Sequence, residues 1–304
     1  MLYDLIIIGA GAAGISSAIY AGCRRVKMLV LEQGEIGGLV NKISFLSHYE
    51  GIEIGKPGRE FMLRAKKQLD EQHVEVLKEK VVSVDLTGKV KKIVTGKNTY
   101  ETKTVIIAAG SVPNKVEFDG SNHLEGTHVF YEVDDETLQK IKGKEIFLIG
   151  GSDGAVKEAI YLSSFAAKVH IVCVEDDLVC VKEFKEWLQR LDNIEYHKHS
   201  SIVKAAVHGE NLCVDVRDNK SNVVKQLCVE NGAIFVFAGI KPASKIFDGM
   251  LTMENGFIKT DDEMKTNIQG VYAVGDIRVK KIRQVSLAVA EGTIAAINAC
   301  NSLK

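Results

Sequence analysis

The residues best suited to chemistry open the chain: Gly9-Ala10-Gly11-Ala12-Ala13-Gly14, with Glu32 placed 23 residues after Gly9. Glycines at this spacing let a strand turn sharply (Gly9), let the backbone approach a pyrophosphate (Gly11) and let a helix pack closely on the strand (Gly14). The helix start offers unpaired N–H groups and the positive end of a dipole, both of which favour phosphate. Glu32 stands where a carboxylate accepts hydrogen bonds from ribose hydroxyls. The elements needed to hold these groups are legible around them. Leu5 to Ile8 is a continuous apolar run, a strand buried on both faces; Ile15 to Ala21 follows as a helix; Val26 to Leu31 is a second strand ending at Glu32. Strand, glycines, helix, strand and acid in this order point to a dinucleotide site, against the alternative of a ligand-free glycine turn.

The pattern recurs. Glu145 to Ile149 is another apolar strand, Gly150-Gly151-Ser152-Asp153-Gly154-Ala155 follows, a helical run reaches Ala166, and a strand from Val169 to Val174 ends at Glu175. Two units of one plan, the second inserted into the first, are therefore expected. Gly150, Gly151, Ser152 and Glu175 define a possible second nucleotide site. Ser152 replaces the second glycine of the fingerprint, and its side chain would crowd an approaching pyrophosphate.

Further elements complete the first unit. Gly37-Gly38 follows Glu32; Thr104 to Ala109 is an apolar strand ending at Gly110; Gly270 to Asp276 is a strand closed by Gly275-Asp276. Together with the N-terminal glycines these look like the FAD domain of the two-dinucleotide-binding flavoproteins. With Arg283-Gln284-Val285 and the alanine-rich helix to Ala299 added, the order resembles the low-molecular-weight thioredoxin reductases over essentially the whole chain. The resemblance implies a homodimer, a split FAD domain and an inserted NADPH domain. It implies FAD-contacting positions at Gly9, Gly11, Ala12, Ala13, Gly14, Glu32, Gln33, Gly38, Leu39, Val40, Asn41, His48, Val82, Ala109, Gly110, Gly275, Asp276, Arg283, Gln284 and Val285. Leu39, His48 and Glu50 stand where that family usually carries glutamine, asparagine and proline.

Two departures bear on activity. The family places Cys-x-x-Cys just before the second glycine strand; here residues 128–135 read His-Val-Phe-Tyr-Glu-Val-Asp-Asp. Electron exchange between a flavin and a disulfide requires a dithiol. The family also reads the 2′-phosphate of NADPH with an arginine-rich stretch after the second strand; here residues 173–180 are Cys-Val-Glu-Asp-Asp-Leu-Val-Cys. Carboxylates repel a phosphate monoester, whereas Glu175 suits an unphosphorylated ribose, so NADH is permitted and NADPH disfavoured.

The six cysteines, at 23, 173, 180, 213, 228 and 300, have no Cys-x-x-Cys or metal-ligand spacing. Cys173 and Cys180 could form a displaced redox pair, but Cys173 lies in an apolar strand, where free cysteine is usually a small hydrophobe. Cys213 and Cys228 flank Asn219 to Asn222, a hairpin turn that brings them close; a structural disulfide is not expected in a reducing compartment. His48 is either an acid–base group beside the flavin or a packed side chain, and the two readings are evenly weighted. Tyr131 and Phe130 either stack on a flavin face or pack within a linker. Asp134 or Asp135 suits a helix N-cap.

At 304 residues, with 46% hydrophobic side chains and 27 glycines, the chain suits two α/β domains, both Rossmann-like three-layer folds. The expected boundaries are 1–115 with 244–304 for the FAD domain and 116–243 for the inserted NAD(P)-binding-like domain. A net charge of −1, from 39 basic and 40 acidic residues, gives no footprint for nucleic acid or an anionic membrane. No apolar run spans a bilayer and no signal peptide is evident, so the cytoplasm is expected. The resulting expectation is an FAD-dependent oxidoreductase without its own redox dithiol. Its electrons would come from NADH or from a small electron-transfer protein such as ferredoxin, a donor used by similar anaerobe flavoproteins. The alternative is an electron-carrying FAD protein that serves a partner complex.

Overall fold

In the computed structural model, which describes Met1–Lys304, strand Leu2–Ile8 is buried on both faces. Leu5 and Ile7 point into one core and Ile6 and Ile8 into another. An alternating polar face was therefore never available to it, which explains its unbroken apolar run. It pairs in parallel with Met28–Glu32 and Thr99–Ile107, the centre of a seven-stranded sheet. Glu75–Lys78 extends one edge; the antiparallel strands Lys91–Thr95 and Val81–Asp85 extend the other. Strand Thr99–Ile107 is long enough to serve two neighbours. Its first residues pair with Lys91–Val94, and Val105–Ile107 pairs with Val271–Ala273 from far along the chain.

Helices Ala12–Gly22, Gly58–Glu71 and Val285–Asn301 contribute to the first of these cores. Residues Met1–Val112 and Lys241–Lys304 form one compact unit and Pro113–Ile240 the other, each crossing falling three residues earlier than the sequence expectation.

The second unit contains a five-stranded parallel sheet in the order Ile194–His197, Lys168–Val172, Glu145–Ile149, Ala233–Val236, Val129–Phe130. One face packs on helix Asp153–Ser163 through Ile146, Leu148, Val169 and Ile171. The other face, through Phe147, Val172 and Ile234, meets Leu212, Val214 and Val216 of the antiparallel sheet Ser200–His208, Asn211–Asp218, Val224–Glu230. Asp134 caps helix Asp135–Ile141 in a reciprocal box with Thr137. No helix is long and apolar enough to cross a membrane.

One expectation is corrected. Cys213 and Cys228 are directly opposed on the hairpin strands, with Cα atoms 4.0 Å apart, and form a disulfide. The expectation against it rested on compartment alone; register puts the two sulfurs side by side whatever the compartment. Cys228 is exposed, so the bridge lies at the surface of this sheet.

Candidate functional site

Helix Ala12–Gly22 begins at Gly11, whose extended backbone provides no side-chain cap, and its first turn carries no acid. Its leading N–H groups thus keep their capacity for an outside acceptor. A Cβ built on Gly11 would meet nothing within 4 Å, so open space lies directly before the positive helix end. The neighbouring glycines are constrained differently. A Cβ on Gly9, at φ +101°, would lie 2.4 Å from the Ala108 carbonyl, and one on Gly14 would lie 1.9 Å from the Gly9 carbonyl.

The separate motifs converge on this point. Gly38 lies against the Gly11 backbone, Gly9 against Ala108 and Ala109, and Gly275 against Ala13 and Ala288. The Glu32 carboxylate is held by two amides: Ala10 N–H donates to Oε2 at 2.6 Å and Gly34 N–H to Oε1 at 2.7 Å. Asn41 donates to the Ile36 carbonyl and so braces the turn containing Gly38, Leu39 and Val40. Gln284 stands at the N-cap position of helix Val285–Asn301 without a side-chain capping bond, and the Arg283 guanidinium lies 4.3 Å from the Phe257 ring. Two buried polar atoms of this unit, Ser111 Oγ beside Gly110 and Arg283 Nε, have no hydrogen-bond partner. An open cradle, free amides, an oriented carboxylate and orphaned polar atoms together fit a dinucleotide such as FAD. Gln33, Leu39 and His48 are exposed, His48 Nδ1 lying 2.9 Å from Ser47 Oγ, and Val82 is exposed on strand Val81–Asp85.

Sequence reading missed what holds the Gly275-Asp276 turn. Glu291, only 6% exposed, accepts from Gly275 N–H at 2.7 Å and from Arg278 Nη1 at 2.9 Å. Lys280 Nζ lies 3.3 Å from Glu291 and 3.4 Å from Asp276. The available signal was Glu291 as the single charged residue of helix Val285–Asn301. Gly292 was missed as well. A Cβ there would lie 2.2 Å from the Ala13 carbonyl, so this glycine sets the closeness of the two helices. Gly292→Ala should therefore destabilise the protein by roughly 1–3 kcal/mol of overpacking, although alanine is favoured by about 1 kcal/mol in a helix interior. Denaturant unfolding with unchanged m is the check, and a stabilised variant would contradict this packing argument.

The second glycine turn is built more tightly. A Cβ on Gly150, at φ +136°, would meet the Phe237 carbonyl at 2.4 Å, and one on Gly151 would meet Cys173 at 3.1 Å and Glu175 Oε2 at 3.4 Å. Segment 175–181 lies along the start of helix Asp153–Ser163. Val179 N–H donates to the Gly151 carbonyl at 2.8 Å and Val181 N–H to Asp153 Oδ1 at 2.7 Å. An open groove of about 590 Å³ beside it is lined by Asp153, Glu175, Asp176, Asp177, Cys180 and Lys185 among others.

Bases that the local sequence did not reveal gather at the acids. Lys185 and Lys198 grip Asp177, holding its carboxyl down to about 2. His199 and Lys220 meet Asp176 at 2.8 and 3.1 Å. Burial pushes the thiols of both Cys173 and Cys180 up, against the thiolate that redox exchange needs. Phe130 is committed to the core of this unit, 5.6 Å from Phe235. Tyr131 is half-buried against the other core, with Lys115 5.7 Å from its ring.

Known proteins share this fold. The family profile described as "Pyridine nucleotide-disulphide oxidoreductase" matches residues 3–292. A thioredoxin reductase of Peptoclostridium acidaminophilum is 36% identical over 314 residues, spanning 98% of this chain and 96% of that protein. The crystal structure of Lactococcus lactis thioredoxin reductase is similar with a TM-score of 0.93, 31% identity and 99% of each chain covered. That of the T. acidophilum thioredoxin reductase is similar with a TM-score of 0.90 and 25% identity, covering 99% of this chain and 98% of that one. Matched along nearly its whole length, the chain belongs to the thioredoxin reductase family of pyridine nucleotide-disulphide oxidoreductases and is an FAD-dependent oxidoreductase.

Proposed function

We propose that this chain is a flavin oxidoreductase that works without a dithiol of its own, taking electrons from NADH or from a small protein donor such as ferredoxin. The observation that carries the reading is the stretch His128 to Asp135, free of cysteine just ahead of the second glycine strand. FAD would be held with its pyrophosphate at Gly11 to Gly14, its ribose at Glu32 and its remaining phosphate and ribityl region at Gly275-Asp276. Bound there, it supplies storage for electrons in transit. Glu32 orients through its two amide bonds, and the Glu291 network keeps the Gly275-Asp276 turn fixed. The family's homodimeric state is proposed for this chain also.

Anaerobic titration of the purified yellow protein tests the reading. NADH or reduced ferredoxin should bleach the flavin, and titration of free thiols should find no new pair once it is reduced. Reduction by a protein donor alone would favour the electron-carrier reading, which Ser152 supports by crowding the second fingerprint. A new thiol pair appearing with the reduced flavin would remove the central claim.

Between the nicotinamides, NADH should bind more tightly than NADPH. Val174 and Val179 are 60% and 65% exposed where the resembling reductases carry phosphate-binding charge. The nearby bases are already engaged by Asp176 and Asp177. One missing charge-assisted contact is worth ~1.5–3 kcal/mol, so a preference of at least about tenfold is expected. Trp187, the single tryptophan, lies on helix Lys182–Leu188 just after this loop and reports binding by fluorescence. Tighter NADPH binding would overturn the assignment.

A further inference from the structure

We propose that the second unit carries a binding site for a zinc-class divalent ion, formed by His170, Glu195 and His197. The parallel register sets His170 beside Glu195 and Val172 beside His197. Glu195 and His197 are two apart on one strand, so their side chains leave the same face. The groups meet tightly. His170 Nδ1 lies 3.2 Å from His197 Nε2 and 3.9 Å from Glu195 Oε2, and His197 Nε2 lies 3.8 Å from Glu195 Oε1. All three ligand atoms fall within 4.8 Å of one another. A tetrahedral ion with bonds of ~2.05 Å to nitrogen needs ligand separations of roughly 3.3 Å. The two nitrogens already have that spacing; the Glu195 Oε1 oxygen needs to close by about 0.5 Å on His197, and the set as a whole, now within 4.8 Å, contracts by up to about 1.5 Å as the carboxylate swings in.

A second observation points the same way. The far nitrogen of His170, Nε2, lies 3.1 Å from Glu145 Oε2. That carboxylate takes the Nε2–H, which leaves Nδ1 bare and aimed at His197. A carboxylate behind a ligating histidine is the usual means of fixing the tautomer and raising ligand basicity. Phe147 stacks on the His170 ring at 5.0 Å and His197 on its other neighbour side at 5.5 Å, so the ring has little freedom to turn away. His170 is 4% exposed while Glu195 is about half exposed, giving a closed floor and an open mouth. Two imidazoles and one carboxylate with a free fourth position suit Zn²⁺.

Without metal, His197 Nε2–H donates to His170 Nδ1. The ion replaces that shared proton, which moves to His197 Nδ1 through solvent, so no net proton is released. Lys168 Nζ, 2.6 Å from Glu195 Oε2, occupies one carboxylate oxygen and leaves Oε1 for the ion. Strand Ile194–His197 forms the sheet edge, and its one sheet neighbour is Lys168–Val172. The bound ion would therefore fasten an edge strand to the sheet.

The test uses the full-length protein, stripped with chelator and titrated with Zn²⁺ and, separately, Co²⁺. About one ion per chain is expected, with Co²⁺ giving visible bands typical of four-coordination and no intense thiolate band. His197→Ala should weaken binding by about 100-fold or more, and Glu145→Ala, which removes the partner of the non-ligating His170 nitrogen, by about 10-fold to 100-fold. Glu195→Gln keeps the shape of the side chain and should also weaken binding by at least about tenfold. Zn²⁺ should raise the melting temperature of the wild type but not of these variants. Absence of stoichiometric binding, a thiolate band, or unchanged affinity in His197→Ala and Glu195→Gln would overturn the site.

Discussion

Replacing Gly11 by valine is expected to leave the fold in place and to remove the flavin. Gly11 has φ −75° and ψ −171°, extended backbone that valine adopts readily. A Cβ there meets no protein atom within 4 Å. The Cβ itself meets no obstacle, so the apo variant should keep its fold and melt close to the apo wild type, with a cost of about 1 kcal/mol or less for valine in place of glycine at the helix N-cap. The added methyl groups instead fill the space a pyrophosphate would occupy and cover the helix N–H groups. Losing two charge-assisted hydrogen bonds at roughly 1.5–3 kcal/mol each lowers affinity by at least ~100-fold. Gly14→Val is the contrasting control, because its Cβ would collide with the Gly9 carbonyl and damage the fold itself. Visible absorbance after purification, beside apo melting curves, separates the two effects. A Gly11→Val protein that stays yellow at full stoichiometry would move the cradle elsewhere.

The second large effect is an absence of turnover: NADPH should not drive steady reduction of thioredoxin by this chain alone. Reduction of a disulfide requires a nucleophilic thiolate and a second thiol to resolve the mixed disulfide. Of the four free cysteines, Cys173 and Cys300 are buried and Cys180 is half-buried, and burial raises all three thiols. Cys23 is exposed, and the thiol near it is that of Cys300, which is buried and held in the protonated form by that burial. The Cys213–Cys228 bridge is the remaining sulfur pair, and a Cys228→Ser variant tests it directly. Flavin reduction should be unchanged in that variant, and thioredoxin should remain oxidised with either protein. Sustained NADPH-dependent turnover by the wild type would sink the claim.

The glycine cradle was legible because its demands are local. Gly9, Gly11 and Gly14 are required by a turn, a ligand and a helix within six residues, and Glu32 follows one strand later. The closing elements were harder to read. Gly292 matters because Ala13 lies opposite it, and Glu291 because it caps the Gly275 amide. Neither relation leaves a periodic trace. At the second site, Val174 to Cys180 carries only acidic charge, yet Lys185, Lys198, His199 and Lys220 come to it from three points further along the chain. His170 and His197 were unremarkable on separate strands until parallel register placed them side by side. Compartment reasoning disfavoured the Cys213–Cys228 bridge, while hairpin register, which was partly visible in the sequence, decided it.

The divided first unit has a consequence for the order in which the protein can be completed during synthesis. Val105–Ile107 waits for Val271–Ala273, and helix Ala12–Gly22 waits for Val285–Asn301. Between Ile107 and Val271 lie residues 108–270, a stretch of 163 residues that takes roughly eight to thirty seconds to translate at ~5–20 residues per second. Throughout that interval the nascent chain holds its first glycines but not the Gly275-Asp276 turn, and an apolar strand edge stands unpaired. Pro113–Ile240 meanwhile emerges whole, with every strand of its own sheets present. The inserted unit can therefore be finished first, and flavin capture belongs to the closing moments of translation or after.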